Sequence, residues 1–205
     1  MKLPAHTSLG YRFLSPYPEN MSDVTSLYEG RFLSLREIHD WEYATRPNAT
    51  GVVGIFALTT AGEAILVEQY RRPVQAWVLE ICAGLLGDEK EFAGESIADC
   101  ASRELLEETG HSAASMTPLL SSPTSPGMTD EITHLFLARG CQKTAPGGGV
   151  GSEDITTHLV PLDDLPAFLD SAPDRGLLVD FKIHACLALL PGSTPGSPGI
   201  SECNP

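Results

Sequence analysis

The chain has 205 residues, of which 42% are hydrophobic and 20% charged, a composition typical of one globular domain with a sizeable core. Its 13 Lys and Arg against 27 Asp and Glu give a formal net charge of −14, which argues against nucleic acid or an anionic membrane as a partner bound by bulk electrostatics. Its five cysteines form no CxxC pair, and no stretch approaches the roughly 18 apolar residues of a membrane span, so we expect a cytoplasmic protein without structural zinc or disulfides.

The N-terminal part of the chain predicts a small β-hairpin module. Residues 27–36 alternate apolar and polar side chains in part and predict one strand, and residues 41–45 predict its partner across a short polar turn containing His39 and Asp40. We assign residues 1–48 to this module and residues 49–190 to the main domain. Residues 191–205 are rich in Pro, Gly and Ser and are predicted to form a disordered tail.

The main domain alternates predicted strands, helices and turn-rich segments. Apolar runs predict strands at residues 51–59, 64–70, 77–81, 132–138 and 155–160. Longer apolar patterns predict helices at residues 162–169 and 177–190. Segments rich in Gly, Pro, Ser and charge predict loops at residues 84–94, 121–130 and 144–152.

Residues 96–109 give the clearest helix prediction. Ser96 is placed as the N-cap, with Asp99 three residues later as its capping-box partner, and Gly110 lies where a C-terminal glycine cap belongs. An apolar stripe is expected to pack the helix on a sheet: Ala98, Ala101 and Leu105.

A second face of the same helix carries three carboxylates. Glu104, Glu107 and Glu108 are three and four residues apart, so they converge within one turn. Carboxylates this close repel one another unless they are well solvated or hold a cation, and Mg²⁺ and Mn²⁺ prefer oxygen ligands. The spacing alone leaves both interpretations open: a solvated acidic face or a metal site.

The residues around the carboxylates add further fixed positions. Glu95 lies eight residues before Arg103-Glu104, and Gly110 follows Glu107-Glu108, so that the pattern is E-x7-R-E-L-x-E-E-x-G. This pattern resembles the Nudix box. The resemblance implies an α/β fold, a Nudix-type α/β/α sandwich with a mixed sheet beside the small N-terminal hairpin module. It also implies metal-dependent hydrolysis of a nucleoside diphosphate linked to another moiety.

The chain departs from the usual box at two places. Ten residues separate Gly84 from Glu95, where the usual pattern has five, so the loop carries about five extra residues around positions 87–92. His111 stands where the pattern has an aliphatic residue, and we expect it to cap the helix C-terminus or to pack. The longer loop affects the rim of the predicted site rather than its carboxylates.

Segments outside the box resemble those of ADP-ribose pyrophosphatases. They are Glu80–Gly84, in which Cys82 replaces the usual proline, Gln69–Arg71, Ser125–Glu131 and the pair Trp41-Glu42. With the box they cover roughly residues 27–190, so the resemblance extends over the main domain and most of the hairpin module.

The resemblance assigns a metal site and a structural frame around it. The implied cofactor is Mg²⁺ or Mn²⁺, and the implied ligands are Glu104, Glu107, Glu108 and the backbone carbonyl of Ala83. The implied structural positions are the ion pair between Glu95 and Arg103 and the glycines Gly84 and Gly110. Bound metal ions would neutralise charge on the diphosphate and lower the pKa of a bound water.

The resemblance also assigns catalytic and substrate-binding residues. Glu131 is the first candidate for positioning or deprotonating the attacking water, and Glu107 is the second. Arg71 is expected to contact phosphate, because its planar guanidinium suits phosphate oxygens. The other candidate substrate contacts are Glu80, Trp41, Glu42 and Arg46. Trp41 is expected either to stack on a nucleobase or simply to pack the hairpin.

Together these features predict an ADP-ribose pyrophosphatase-like Nudix hydrolase. The expected reaction converts ADP-ribose to AMP and ribose 5-phosphate. The alternatives are hydrolysis of a GDP- or UDP-sugar and a non-catalytic module that senses nucleotides. The resemblance further implies a homodimer in which the N-terminal module reaches the site of the partner. We expect neither nucleic acid nor a membrane as a partner.

Overall fold

The computed structural model of the chain describes residues 23–88, 90–92, 94–149 and 154–190. The predicted disordered tail lies outside the described residues. The strands are β1 (Thr25–Glu29), β2 (Ser34–Ile38), β3 (Trp41–Thr45), β4 (Gly51–Thr59), β5 (Glu63–Arg71), β6 (Ala76–Glu80), β7 (Cys82–Leu86), β8 (His111–Ser112), β9 (Ser115–Pro123), β10 (Ile132–Lys143), β11 (Thr156–Pro161) and β12 (Leu177–Val179). The α-helices are α1 (Ile97–Thr109), α2 (Leu165–Asp170) and α3 (Phe181–Leu189).

The N-terminal module is a three-stranded antiparallel sheet in the order β1-β2-β3. The prediction of one strand over residues 27–36 is wrong, because the amide of Gly30 donates to the carbonyl of Leu33 and closes a turn inside that segment. A side chain at position 30 would place its Cβ 2.4 Å from the Leu33 carbonyl oxygen. The predicted turn between β2 and β3 is confirmed: His39 and Asp40 have φ of 49° and 63°, as a two-residue type I′ hairpin turn requires.

The main domain is built on a mixed nine-stranded sheet. Its central path is β12-β6-β5-β4-β10-β8, and β11, β7 and β9 pair with β5, β4 and β10. The pairs β4–β10 and β6–β12 are parallel, and the other pairs are antiparallel. Strand β4 has β10 along one edge, and along its other edge it pairs first with β7 and then with β5.

Helices cover both faces of this sheet. Successive residues of β4 point to opposite faces, so Ile55 packs with α1 on one side and Phe56 packs with α2 and α3 on the other. Each face has its own buried apolar cluster, and the predicted α/β/α sandwich with a mixed sheet is confirmed. None of the described helices has the length and hydrophobicity that crossing a membrane requires.

Several predicted boundaries change in the structure. The predicted loop at 84–94 begins inside strand β7, and the loop at 121–130 begins inside β9, a partly buried strand of mixed polar and apolar residues that the pattern missed. The predicted helix at 177–190 begins with strand β12, and α3 starts only after Asp180. Asp180 sets this boundary, because its amide donates to the carbonyl of Leu79 and its carboxylate accepts from the amide of Lys182.

Helix α1 has the predicted caps. The Ser96 hydroxyl accepts from the amide of Asp99 at 3.1 Å, and Gly110 ends the helix with a φ of 70°. The apolar stripe is shifted from the prediction: Ala101 and Leu105 are buried, but Ala98 is exposed and Cys100 takes its place. The buried His111 packs beyond the helix end, as expected, with its Nδ1 2.8 Å from the Thr109 carbonyl oxygen.

Candidate active site

Helix α1 lies against strand β7, and one hydrogen bond joins the two at the predicted site. Glu108 is 5% exposed, and its Oε2 accepts from the backbone amide of Ala83 at 3.1 Å. Strand β7 holds Ala83 in register with Gly54 of the central strand β4. The structure therefore brings the Glu108 carboxylate to Ala83. The carboxylate contacts the amide of Ala83, and the ligand that the resemblance implies is the carbonyl of the same residue.

Arg103 connects the glutamates of the box. Its guanidinium donates to both oxygens of Glu95, at 2.8 and 3.3 Å, so the predicted ion pair is present. It also donates to Glu104 at 2.8 Å and to Glu107 at 3.1 Å. The side chain of Arg103 is 17% exposed. Because Arg103 bonds to Glu95, Glu104 and Glu107, it sets the direction of carboxylates that otherwise repel one another.

Glu104 approaches β7 where Gly84 has no side chain. A Cβ at position 84 would lie 1.9 Å from the Glu104 carboxyl carbon, a distance that no side chain tolerates. The pKa of the Glu104 carboxyl is raised from 4.5 to about 7: burial raises it most, Arg103 opposes the rise, and the charges of Glu107 and Asp88 add to it. Gly84 is therefore the position that admits this carboxylate to the site.

These residues fit a hard divalent cation by their chemistry. The donors are carboxylate oxygens and a backbone carbonyl, which Mg²⁺ and Mn²⁺ prefer, and Gly84 leaves a space that the Glu104 carboxylate fills. In the described part of the chain, no three Asp, Glu, His or Cys side chains already surround a single point as an ion requires. Glu104 and Glu107 point to Arg103, while Glu108 points to the Ala83 amide.

Glu131 lies in a second group of residues. Its Oε2 accepts from Arg46 Nε at 2.9 Å, and its Oε1 accepts from the Thr124 hydroxyl at 3.3 Å. Glu131 immediately precedes β10, which borders β4 on the edge opposite to β7. The group around Glu131 and the group around Arg103 therefore lie on either side of β4. Adjacent strands are about 5 Å apart, so the two groups are close to each other.

Arg71 and Glu80 form an ion pair near the end of β5 and β6. The Arg71 Nε lies 2.7 Å from Oε2 of Glu80, which is 6% exposed. Burial raises the pKa of Glu80, while the hydrogen bond from Arg71 lowers it. Sequence reasoning missed the neighbouring pair of Asp180 and Lys182, whose charges also act on Glu80. Only the fold brings the start of α3 to this place.

The hairpin residue Trp41 borders an open cleft of about 330 Å³. The indole Nε1 donates to the carbonyl of Gly127 at 3.2 Å, and the indole is 60% exposed. Tyr43 lines the same cleft, and burial followed by the charge of Asp130 raises the pKa of its phenol. Glu42 does not line this cleft, because alternate residues of β3 face opposite sides of the strand.

Two further residues of the site carried no signal in the sequence. The ring of Phe92 stacks on the guanidinium of Arg103, with Cζ of Arg103 4.2 Å from the ring centroid. Thr124 contacts Glu131, which is seven residues later in the chain. Both contacts depend on how two loops fold, and no local spacing rule predicts either of them.

The sequence and the fold are similar to those of known proteins. The NUDIX domain model matches residues 48–181. The methanol dehydrogenase activator of Bacillus methanolicus is 41% identical over 152 residues, which are 71% of this chain and 79% of that protein. The ADP-ribose pyrophosphatase of Bacillus subtilis (strain 168) is 43% identical over 90 residues, or 43% of this chain and 45% of that protein.

A third relative and a solved structure complete the comparison. The GDP-mannose pyrophosphatase of Yersinia enterocolitica is 34% identical over 107 residues, or 49% of this chain and 53% of that protein. The chain thus spans about half the length of both pyrophosphatases. A crystal structure of an ADP compounds hydrolase has a TM-score of 0.57 and 21% identity, over 75% of this chain and 85% of that one, which supports the fold.

Proposed function

This chain belongs to the Nudix hydrolase family, and from that premise we propose that it hydrolyses the diphosphate of a nucleoside diphosphate sugar with the help of Mg²⁺ or Mn²⁺. ADP-ribose is the proposed substrate, and AMP and ribose 5-phosphate are the proposed products. The names of the ADP-ribose pyrophosphatase relatives, from Bacillus subtilis and Mycobacterium tuberculosis, support this choice.

One observation carries the proposal. Two carboxylates from one turn of α1, those of Glu108 and Glu104, lie beside residues 83–84 of β7, and Arg103 bonds to Glu104 and to the third carboxylate, that of Glu107. We propose that Glu104, Glu107, Glu108 and the Ala83 carbonyl hold the cation. When bound, divalent metal supplies positive charge to the diphosphate and lowers the pKa of a water. The role of this chain is to fix the directions of these carboxylates, through Arg103 and the Ala83 amide.

The proposed water-activating residue is Glu131, with Glu107 as the second candidate. Glu131 is positioned by Arg46 and Thr124, on a segment rich in Pro and Gly that we expect to close on substrate. A carboxylate held by two hydrogen-bond donors has a fixed direction, which is what proton transfer from a positioned water requires.

The substrate contacts are proposed for the residues around these two groups. Arg71 and Arg46 present guanidinium groups whose planar donors suit phosphate oxygens. Glu80 holds Arg71 in place through the 2.7 Å ion pair. Trp41 presents an exposed indole at the cleft, which supports stacking on a nucleobase. Glu42 keeps only the support of the resemblance, since it does not line the cleft.

The test is hydrolysis of a panel of nucleoside diphosphate sugars in Mg²⁺, Mn²⁺ or chelator, read by release of phosphate after coupled dephosphorylation. Glu108→Gln is the site variant, and Asp174→Asn, an exposed residue of a short 3-10 helix, is the matched control. The proposal expects metal-dependent turnover of ADP-ribose that is lost in Glu108→Gln and kept in Asp174→Asn. Turnover that survives chelation would contradict it.

Another sugar nucleotide is the alternative substrate. The GDP-mannose pyrophosphatase relatives support GDP-mannose, and one from Yersinia pestis aligns over 168 residues, or 78% of this chain, at 29% identity. Turnover of GDP-mannose alone in the same panel would keep the chemistry and replace the substrate. Tight nucleotide binding without any turnover would instead favour a sensing module.

A second candidate function comes from the relative that is 41% identical over a long alignment of 152 residues. Because the methanol dehydrogenase activator is 41% identical over 71% of this chain, we propose activation of a methanol dehydrogenase as the second candidate. The measurement is the rate of a purified methanol dehydrogenase with and without this chain. Glu108→Gln in parallel tells whether any activation needs hydrolysis.

We also propose that the chain forms a homodimer through its N-terminal sheet. Strand β1 is exposed along its whole length, and large apolar side chains around this sheet are exposed: Leu27, Tyr28, Phe32 and Leu33. An exposed apolar patch of this kind marks an interaction surface. A monomeric mass by light scattering at micromolar concentrations would contradict the dimer. The described cysteines are free and buried, which supports a reducing, cytoplasmic location.

A further inference from the structure

We propose that Phe92 is a positioning residue that fixes the guanidinium of Arg103, and through it the carboxylates of Glu104 and Glu107. Phe92 belongs to the segment by which this chain lengthens the loop between Gly84 and Glu95 beyond the usual box. The inference deepens the proposed function and rests on it. It assigns to the extra loop residues a part in the metal site rather than only in its rim.

The edges of the Arg103 guanidinium are fully used. The Nε–H and one Nη2–H donate to Glu95, and Nη2 also lies 3.5 Å from the Cys100 sulfur. Nη1 donates to Glu104 and to Glu107. An arginine has five N–H donors in one plane, so these partners occupy every direction within the plane. The remaining freedom of the group is a tilt out of that plane.

Phe92 restricts this tilt. Its ring covers one face of the guanidinium at 4.2 Å from the centroid, and it keeps water from that face. A cation held over an aromatic ring is attracted by the negative face of the ring, and more strongly where water is excluded. The side chain of Arg103 is 17% exposed and that of Glu95 12% exposed, so this contact lies in a largely dry environment.

The consequence reaches the carboxylates through a single nitrogen. Glu104 and Glu107 share Nη1 of Arg103, so a tilt of the guanidinium releases both together. Each carboxylate gives Arg103 one oxygen and keeps the other for a cation. Groups that orient metal ligands in this way change metal affinity when they are lost. Phe92 thus acts one step farther from the cation than Arg103.

The experiment compares Mn²⁺ binding to the full chain by the electron paramagnetic resonance of free Mn²⁺. Phe92→Leu keeps the apolar bulk and removes the aromatic face, and Phe92→Tyr keeps both. Phe168→Leu is the matched control, because Arg175 also lies over the ring of Phe168, 4.1 Å from its centroid, but Phe168 belongs to α2 and packs on the face of the sheet opposite to α1. We expect the Kd to rise about 3- to 10-fold in Phe92→Leu, less than the 10- to 100-fold typical of residues bonded directly to a ligand. The other two variants should stay within about twofold of the wild type.

A double-mutant cycle with Arg103→Lys tests whether Phe92 acts through Arg103. The lysine keeps the charge and removes the planar group, so Phe92→Leu should change the Kd no further in that background. A lowered melting temperature with an unchanged Kd, or an equal fold-change in both backgrounds, would overturn the role of Phe92. A wild-type chain that binds no Mn²⁺ would overturn the proposed metal-dependent function itself, together with this inference.

Discussion

Arg46 and Glu131 form an ion pair, with Nε and Oε2 2.9 Å apart, that joins the N-terminal sheet to the loop before β10. Three more contacts accompany it. The Thr45 hydroxyl donates to Asp130 at 2.8 Å, the Ala44 amide donates to the Met128 carbonyl at 2.8 Å, and the Trp41 indole donates to Gly127. The candidate water-activating group is therefore held by residues of the N-terminal sheet.

Removing the guanidinium of Arg46 tests this relationship. We expect Arg46→Gln to lower kcat/KM for the sugar nucleotide by about 10- to 100-fold, because Glu131 loses its orientation and the diphosphate loses a contact. Steady-state kinetics on the wild type and the variant measure the change. Arg36→Gln is the control, since Arg36 pairs with Glu29 inside the N-terminal sheet. Equal kinetics in Arg46→Gln and the wild type would argue against a role for this pair.

Gly84→Ala is expected to lower activity more than stability. The new Cβ displaces the end of the flexible Glu104 side chain, so turnover should fall by at least about 10-fold. The free energy of unfolding should fall by no more than about 1 kcal/mol, with a correspondingly small change in the melting temperature.

Gly62→Ala, in contrast to Gly84→Ala, is expected to lower stability and leave activity unchanged. Gly62 has a φ of 81° and open space around it, so alanine there strains the backbone. Unfolding should become easier by about 1 kcal/mol while activity stays unchanged. Thermal unfolding and turnover of both variants, measured in one buffer, check the pair of predictions.

Arg103→Met is expected to destabilise the fold by about 3 kcal/mol, because the partly buried carboxylates of Glu95 and Glu104 lose the guanidinium group that pairs with them. Glu95→Gln alone should cost less. The double variant should cost less than the two single costs added together, because the two residues share one interaction. Urea unfolding followed by circular dichroism gives these free energies. Additive costs would indicate that the pair stabilises nothing jointly.

Stability should fall in mildly acidic solution because of one buried and one partly buried histidine, His111 and His134. Burial lowers the pKa of both His111 and His134 from the ordinary value of 6.5. Below about pH 6.5 the unfolded chain therefore binds protons that the folded chain does not, and the stability that these histidines contribute is lost as the pH falls. Above that pH it is fully present.

The control for this pH effect is a histidine on the surface. His111→Gln should reduce the decline in melting temperature between pH 8 and pH 5.5, whereas His184→Gln, at an exposed position of α3, should not. The difference between each variant and the wild type isolates one histidine from the carboxylates that titrate below it. A decline that is identical in all three proteins would contradict the prediction.

The parts of the fold that the sequence predicts are those fixed by local interactions. Helix α1 was predicted with both caps, because the Ser96 and Gly110 contacts span only a few residues. The resemblance implies that the box residues Glu95 and Arg103 pair, and they do. The individual roles of the site residues and the domain boundaries at 48 and 190 stay predictions.

The parts that the sequence did not predict depend on distant partners. Residues 177–179 form a strand because they pair in parallel with β6, about a hundred residues earlier in the chain, and their apolar side chains fit a helix equally well. The turn at Gly30 lies inside a segment, residues 27–36, whose partial alternation of apolar and polar side chains fits one continuous strand. Phe92 reaches Arg103 across a loop whose path the spacing of the box does not specify.

The pairing of β7 with β4 divides the candidate site into a part that opens only with the whole domain and a part that opens alone. Ala83 and Gly84 are bonded into the central ladder opposite Gly54 and Val53, so exposing them requires breaking the core of the sheet. The segment that carries Glu131 lies between strands and opens locally at smaller cost. In hydrogen exchange, the amides of β7 should therefore exchange with global unfolding, and those of residues 124–131 much earlier.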